Sequence, residues 1–234
     1  MIVHEFKTVF VHVPKAAGQS VENFLLSLLD KNRQEHGAEY LLRPNTDERK
    51  GPPRLAHLTA EEYTKLGYIS KADYESYYTF TVVRNPWSRM VSFYKYRGFN
   101  SLIDFNTFVQ RYVPSYFEKE YWFYRPQVDF IYGEEEELLV DKIAKLESLD
   151  TDFKQVADAL SLAEHTLPKS NHSERKGLVS RKSWNLLKKH PDIIANLKLS
   201  VPSVKGYRDA YNDASKKVIS ALYEKDIDLL NYTF

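Results

Sequence analysis

The stretch Val9-Phe10-Val11-His12-Val13-Pro14-Lys15-Ala16-Ala17-Gly18-Gln19-Ser20 decides the fold class. Val9 to Val13 is a short, mostly β-branched run, the pattern of a buried strand. Pro14 ends it, because a proline lacks the N–H that a ladder needs. A loop follows through Gly18. Ser20 then opens a helix, with Val21, Phe24, Leu25 and Leu28 apolar at helical spacing. Strand, loop and helix thus follow one another within about 20 residues, the first half of a βαβ unit.

The same pattern recurs downstream. Tyr78 to Val83 reads as a second apolar strand, ending at Arg84. Asn85 and Pro86 start the next helix, which Met90, Val91, Phe93 and Tyr94 continue; proline suits a first helical position. Between the two units, residues 43–54 form a polar loop with three prolines. Thr59 to Leu66 reads as a short helix, with Thr59 as cap and Glu62 placed for a capping box. Leu102 to Tyr112 is expected to be helical. Val128 to Tyr132 and Leu138 to Leu146 are expected to be strands joined across Gly133 and the acidic run Glu134 to Glu137. Thr151 to Ala163 is expected to be a helix, and residues 166–180 a polar, basic loop. The remainder is expected to be largely helical, ending in the aromatic tail Leu229 to Phe234. Strands alternating with helices predict an α/β fold: one domain over residues 1–234, with a mainly parallel central sheet flanked by helices.

Composition narrows the function. The formal net charge is +1, so any anion site must be local rather than a basic surface for nucleic acid. The chain has no cysteine, which excludes disulfides, thiolate metal sites and cysteine nucleophiles. The N-terminal stretch lacks the long apolar region of a signal peptide, and no run of about 18 apolar residues predicts a membrane span. A cytoplasmic protein is the expectation. The 17 Tyr, 13 Phe and 3 Trp suit either core packing or a groove on which sugar faces stack.

Residues 14–20 have the properties of an anion loop. Small residues let the backbone curl around a ligand, and the helix start offers unpaired N–H groups and a positive dipole end. Lys15 adds a mobile cation and Ser20 a hydroxyl. The nucleotide-triphosphate loop differs, because it places Lys directly before Ser or Thr. A tight turn with a surface lysine accounts for the segment equally well. Arg84 closes the second strand, and Ser88 and Ser92 follow at i, i+4 spacing on one helical face. Arg84 can fork onto a phosphate while Ser92 donates a hydroxyl bond; an ordinary Arg–carboxylate pair is the alternative. In a parallel sheet both strand ends open onto one carboxyl edge, where ligands bind.

The two segments together resemble the motifs of the sulfotransferases that use 3′-phosphoadenosine 5′-phosphosulfate (PAPS). The likeness is to the carbohydrate branch, sulfotransferase family 2, which includes heparan sulfate 2-O-sulfotransferase. Residues 9–20 resemble that family's 5′-phosphosulfate loop, although Ala16-Ala17 stand where many relatives have Thr-Gly. Residues 80–94 resemble its 3′-phosphate motif, with Arg84, Asn85, Pro86, Arg89, Ser92 and Tyr94 matching. Ala56-His57-Leu58-Thr59, with Tyr63 and Leu66-Gly67, is similar to the segment that carries the catalytic histidine. Residues 122–131 resemble a substrate-side segment. The likeness runs over most of the chain, which is shorter than the Golgi enzymes and lacks their anchor and cysteines, as a bacterial cytoplasmic member would.

The resemblance implies a phosphate-loop-like sulfotransferase fold. It also implies transfer of a sulfuryl group from PAPS to a hydroxyl of a carbohydrate or glycoconjugate, with release of adenosine 3′,5′-bisphosphate and no metal. His57 is the expected base and Lys15 the stabiliser of the leaving group. Lys15, Ala16, Ala17, Gly18, Gln19 and Ser20 are expected to hold the 5′ end, and Arg84 and Ser92 the 3′-phosphate. Asn171 and Ser173 are further expected contacts to the donor; neighbouring His172, Arg175 and Lys176 lie in the same loop. Trp122, Tyr124, Arg125 and Gln127 are expected to line the acceptor groove. His12, inside the first strand, is expected to be packed. Two other functions fit the residues alone: an ATP-dependent kinase with an atypical phosphate loop, and a nucleotide-binding relative without activity. Magnesium dependence separates the first from a sulfotransferase.

Overall fold

The computed structural model describes residues 1–162, 166–167, 181–198, 204 and 206–234. In chain order they form β1 (Ile2–Val3), β2 (Thr8–Val11), α1 (Gly18–Ser27), α2 (Arg33–His36), α3 (Ala60–Lys65), α4 (Lys71–Ser76) and β3 (Tyr78–Val83). There follow α5 (Pro86–Arg97), α6 (Phe105–Arg111), α7 (Val113–Lys119), α8 (Tyr121–Tyr124), β4 (Lys142–Lys145) and α9 (Leu149–Ala159). The last helices are α10 (Arg181–Lys189), α11 (Asp213–Leu222) and α12 (Glu224–Leu229). The chain groups into two compact units, one of residues 1–84 and 125–170, the other of residues 85–124 and 171–234. Among the described residues, no helix is long and apolar enough to cross a membrane.

The first unit holds the sheet, in the order β1-β2-β3-β4. β2, β3 and β4 run parallel, with Phe10 opposite Phe80 and Val82 opposite Ala144; β1 is antiparallel to β2. The sheet is therefore mixed, not wholly parallel. Buried hydroxyls stitch it: Thr81 donates to the Val11 carbonyl at 2.7 Å, and Thr8 to the Tyr78 carbonyl at 2.7 Å. α1 and α9 pack on one face, where Val21, Phe24, Leu25, Phe153 and Val156 meet Phe10, Phe80, Val82 and Ala144. Each large apolar side chain buried there contributes roughly 1.5–3 kcal/mol.

Local signals placed these elements well. Thr59 and Glu62 form the expected capping box at the start of α3, and Asn85 caps α5 with Pro86 behind it. The region after residue 127 differs from expectation. Val128–Phe130 is a single 3-10 turn, and Tyr132 meets Leu138 in one isolated bridge. Only Lys142–Lys145 is a ladder strand there, and it pairs with β3 rather than with its sequence neighbour. Val128, Phe130 and Ile131 are buried, but a turn rather than a ladder satisfies their main chain.

The second unit is helical, and much of the chain's aromatic content forms its core. Phe93 stacks on Tyr124 at 4.4 Å, and Tyr116 stacks on Tyr124 at 5.5 Å. The guanidinium of buried Arg89 lies 5.1 Å from the Phe93 ring and 5.7 Å from the Tyr223 ring, where the aromatic faces offset its charge.

Candidate active site

The loop from His12 to Ala17 joins β2 to α1 in the first unit. Lys15 (φ 69°) and Ala17 (φ 64°) both adopt left-handed backbone. For non-glycine residues this costs of order 1–3 kcal/mol each, and such strain gathers at ligand sites. Ala17 is the residue that caps α1, and it supplies no side-chain hydrogen bond. Asn85, Thr59 and Asp104 by contrast cap α5, α3 and α6 with side-chain oxygens. Among the described residues, the N–H groups of Ala17 and Gly18 take no main-chain partner. A helix start left open in this way is suited to an anion. Lys15 is half-buried, Ala16, Gly18 and Ser20 are buried, and Gln19 is exposed.

Gly18 has a steric reason. A Cβ built there would lie 2.0 Å from Cδ2 and Nε2 of His12, so the imidazole rests directly on the glycine. His12 lies one residue beyond β2 and is buried, as expected, but it is not inert packing. Its Nδ1 hydrogen-bonds the Glu22 carboxylate at 2.6 Å. Glu22 is fully buried on α1, and its other oxygen accepts from the Arg33 guanidinium of α2. Burial alone would raise the Glu22 carboxyl; His12 and Arg33 overcome it and hold the group at about 2. Sequence reasoning missed Glu22 and Arg33. The one signal was an acid directly beside the apolar helical positions Val21, Phe24 and Leu25.

His57 ends a 3-10 turn (Leu55–His57) just before the Thr59 cap, and it is 5% exposed. Its Nδ1 lies 3.2 Å from the His12 carbonyl, and the two imidazole rings meet edge-on at 4.5 Å. A carbonyl only accepts, so His57 Nδ1 carries the hydrogen and Nε2 carries the lone pair. Burial, and after it the neighbouring His12, push His57 well below the ordinary value of 6.5. The ring is therefore neutral near pH 7, in the tautomer whose Nε2 can accept a proton.

Arg84 follows β3, and its Nη1 reaches the Lys15 carbonyl at 3.4 Å. Buried Gln127 fixes its main chain from both sides: the Arg84 N–H donates to Gln127 Oε1 at 2.8 Å, and Gln127 Nε2 donates to the Arg84 carbonyl at 2.7 Å. Gln127 thus holds the Arg84 main chain in place. Tyr124 is also fully buried, in the aromatic core of the second unit. Trp122 is partly exposed and leans on Phe123. Arg125 lies over the Phe130 ring at 5.3 Å. Ser92 is partly exposed on α5. The structure thus brings Lys15, Gly18, His57 and Arg84 into one linked set through His12 and the loop. Asn171 and Ser173, with His172, Arg175 and Lys176, lie outside the described residues.

A left-handed loop between β2 and α1 thus lies beside a buried histidine on the parallel part of the sheet. The chain matches the model of the sulfotransferase family over residues 1–233 and belongs to that family: it is a sulfotransferase. No curated protein is matched by the chain.

Proposed function

We propose that this sulfotransferase takes its sulfuryl group from PAPS, passes it to a hydroxyl of a carbohydrate or glycoconjugate, and releases adenosine 3′,5′-bisphosphate. The observation that carries the reading is the join between loop and base. His57, with its lone pair on Nε2, is tied through His12 to a loop whose helix start is uncapped. We read the β2–loop–α1 unit as phosphate-loop-like, and the whole chain as one domain acting in the cytoplasm; a family match that runs through both units supports the single domain.

The donor's chemistry is an activated sulfuryl group on a phosphate leaving group. Main-chain N–H groups from Ala16 to Ser20 hold its 5′ end. Lys15 stabilises charge that develops on the leaving phosphate. His57 Nε2 takes the acceptor's proton, which a neutral buried imidazole does at pH 7. The resemblance of residues 80–94 to the family's 3′-phosphate motif supports a role for Arg84 and Ser92 at that phosphate. An acidic sugar acceptor suits Arg125, which is partly exposed.

Thermal unfolding with adenosine 3′,5′-bisphosphate, and separately with ATP and magnesium, tests the donor. At about 100 times its dissociation constant the bisphosphate stabilises by about 2.7 kcal/mol, a Tm rise on the order of 5–10 °C. A rise with ATP and magnesium alone makes the chain a nucleotide-triphosphate binder and rejects the proposal. His57→Ala is expected to keep the bisphosphate shift and to lose transfer by about 10²–10⁴-fold.

A further inference from the structure

His12 has three separate attachments. Its Nδ1 is held by Glu22 at 2.6 Å, its ring lies on Gly18 at the start of α1, and its carbonyl receives Nδ1–H of His57 at 3.2 Å. Glu22 is in turn held by Arg33. One residue therefore joins the anion loop, the helix behind it and the proposed base. We propose that His12, clamped by Glu22 and Arg33, is a positioning residue that sets the tautomer and direction of His57 relative to the loop. This rests on His57 being the base.

The reasoning is geometric. The base works through Nε2 only while Nδ1 keeps the proton, and the His12 carbonyl is the acceptor that keeps it there. That carbonyl immediately follows β2 and precedes a strained loop, so its direction depends on what anchors residue 12. The anchor is the side chain, through a carboxylate that is itself fixed at both oxygens. Partners that orient a functional histidine in this way typically change activity by about 10–100-fold when removed. The charged and titratable groups that act on His57 are His12, Glu22 and Arg54. Removing the His12 ring also removes an influence that lowers His57, so the acid limb of the rate profile should move to higher pH.

The test compares His12→Leu and His12→Asn with the unaltered chain. Asparagine places an amide N–H close to the position of imidazole Nδ1 and keeps a donor for Glu22; leucine does not. Two-bond nitrogen–proton correlation spectra report which His57 nitrogen holds the proton, whether or not the enzyme turns over. The unaltered chain and His12→Asn are expected to show His57 protonated on Nδ1, and His12→Leu a mixture of tautomers. In His12→Leu, kcat is expected to fall about 10–100-fold while affinity for adenosine 3′,5′-bisphosphate stays within about threefold. His12→Asn is expected to recover most of kcat. An unchanged tautomer in every variant overturns the proposal. So does an equal loss of kcat and bisphosphate affinity, or an asparagine variant no better than leucine. Should His12→Leu not fold, Glu22→Gln carries the same comparison: lower kcat with mixed tautomers is expected, and wild-type values of both overturn the proposal. If the unaltered chain transfers no sulfuryl group, the proposed function fails, and the spectra still decide whether His12 sets the His57 tautomer.

Discussion

Replacing Glu22 by glutamine removes a buried charge and changes little else, so its cost can be worked from the site. The folded carboxyl is held at about 2, against an ordinary 4.5. That difference corresponds to about 3 kcal/mol of stability at neutral pH. It agrees with the roughly 3–5 kcal/mol lost when one partner of a buried pair is removed. For a chain of this length, about 3 kcal/mol lowers Tm by about 6–12 °C. The pH dependence separates charge from shape. Because the folded carboxyl is the stronger acid, the unfolded chain takes up the proton first as pH falls. The contribution is complete above about 4.5 and disappears as pH drops towards 2. Thermal unfolding followed by circular dichroism at about pH 7, 5 and 3 should show wild type and Glu22→Gln far apart at the first two values. At about pH 3 the gap should shrink to about 1 kcal/mol. A gap of the same size at all three values would mean that packing, not the His12–Glu22–Arg33 charge pairing, is what the substitution disturbs. No gap at neutral pH would refute the pairing altogether.

Two further substitutions test the loop. Ala17→Gly should relieve the left-handed strain and raise stability by about 1 kcal/mol, a Tm increase of about 2–4 °C, since alanine is disfavoured there and glycine is not. A fall in Tm would show that the backbone is not strained at that position. Gly18→Ala should push the His12 imidazole off its seat and away from Glu22, at a cost of about 1–3 kcal/mol from overpacking. In the Glu22→Gln background the same change should cost less, because the pairing that it breaks is already weakened; strictly additive Tm changes would deny that coupling.

Much of the fold was legible because its signals are local. The runs around Val9 and Tyr78 became β2 and β3, and the Thr59, Glu62, Asn85 and Pro86 caps set the starts of α3 and α5. Each such signal is written within about four residues, so no tertiary contact is needed to read it. The acidic turn near residue 134 was legible too, but the strands on either side of it were not. A short, mostly apolar run does not say whether a neighbouring strand will satisfy its main chain or a turn will, and at 128–132 a turn did.

For the site, the amino-acid sequence alone determined membership of a family of sulfotransferases and named Lys15 and His57 as candidates, read from motifs whose residues are close neighbours in the chain. Only the tertiary structure decided how those parts are held. Gln127 proved to be a clamp on Arg84 across 43 residues, and Tyr124 a core residue. His12, read as packing, proved to link Glu22, Gly18 and His57, the last of them 45 residues away. The reason is physical. A residue type fixes what a side chain can donate, accept or carry. Whether it is buried, which partner reaches it and which nitrogen keeps the proton follow from segments that meet only when the sheet forms.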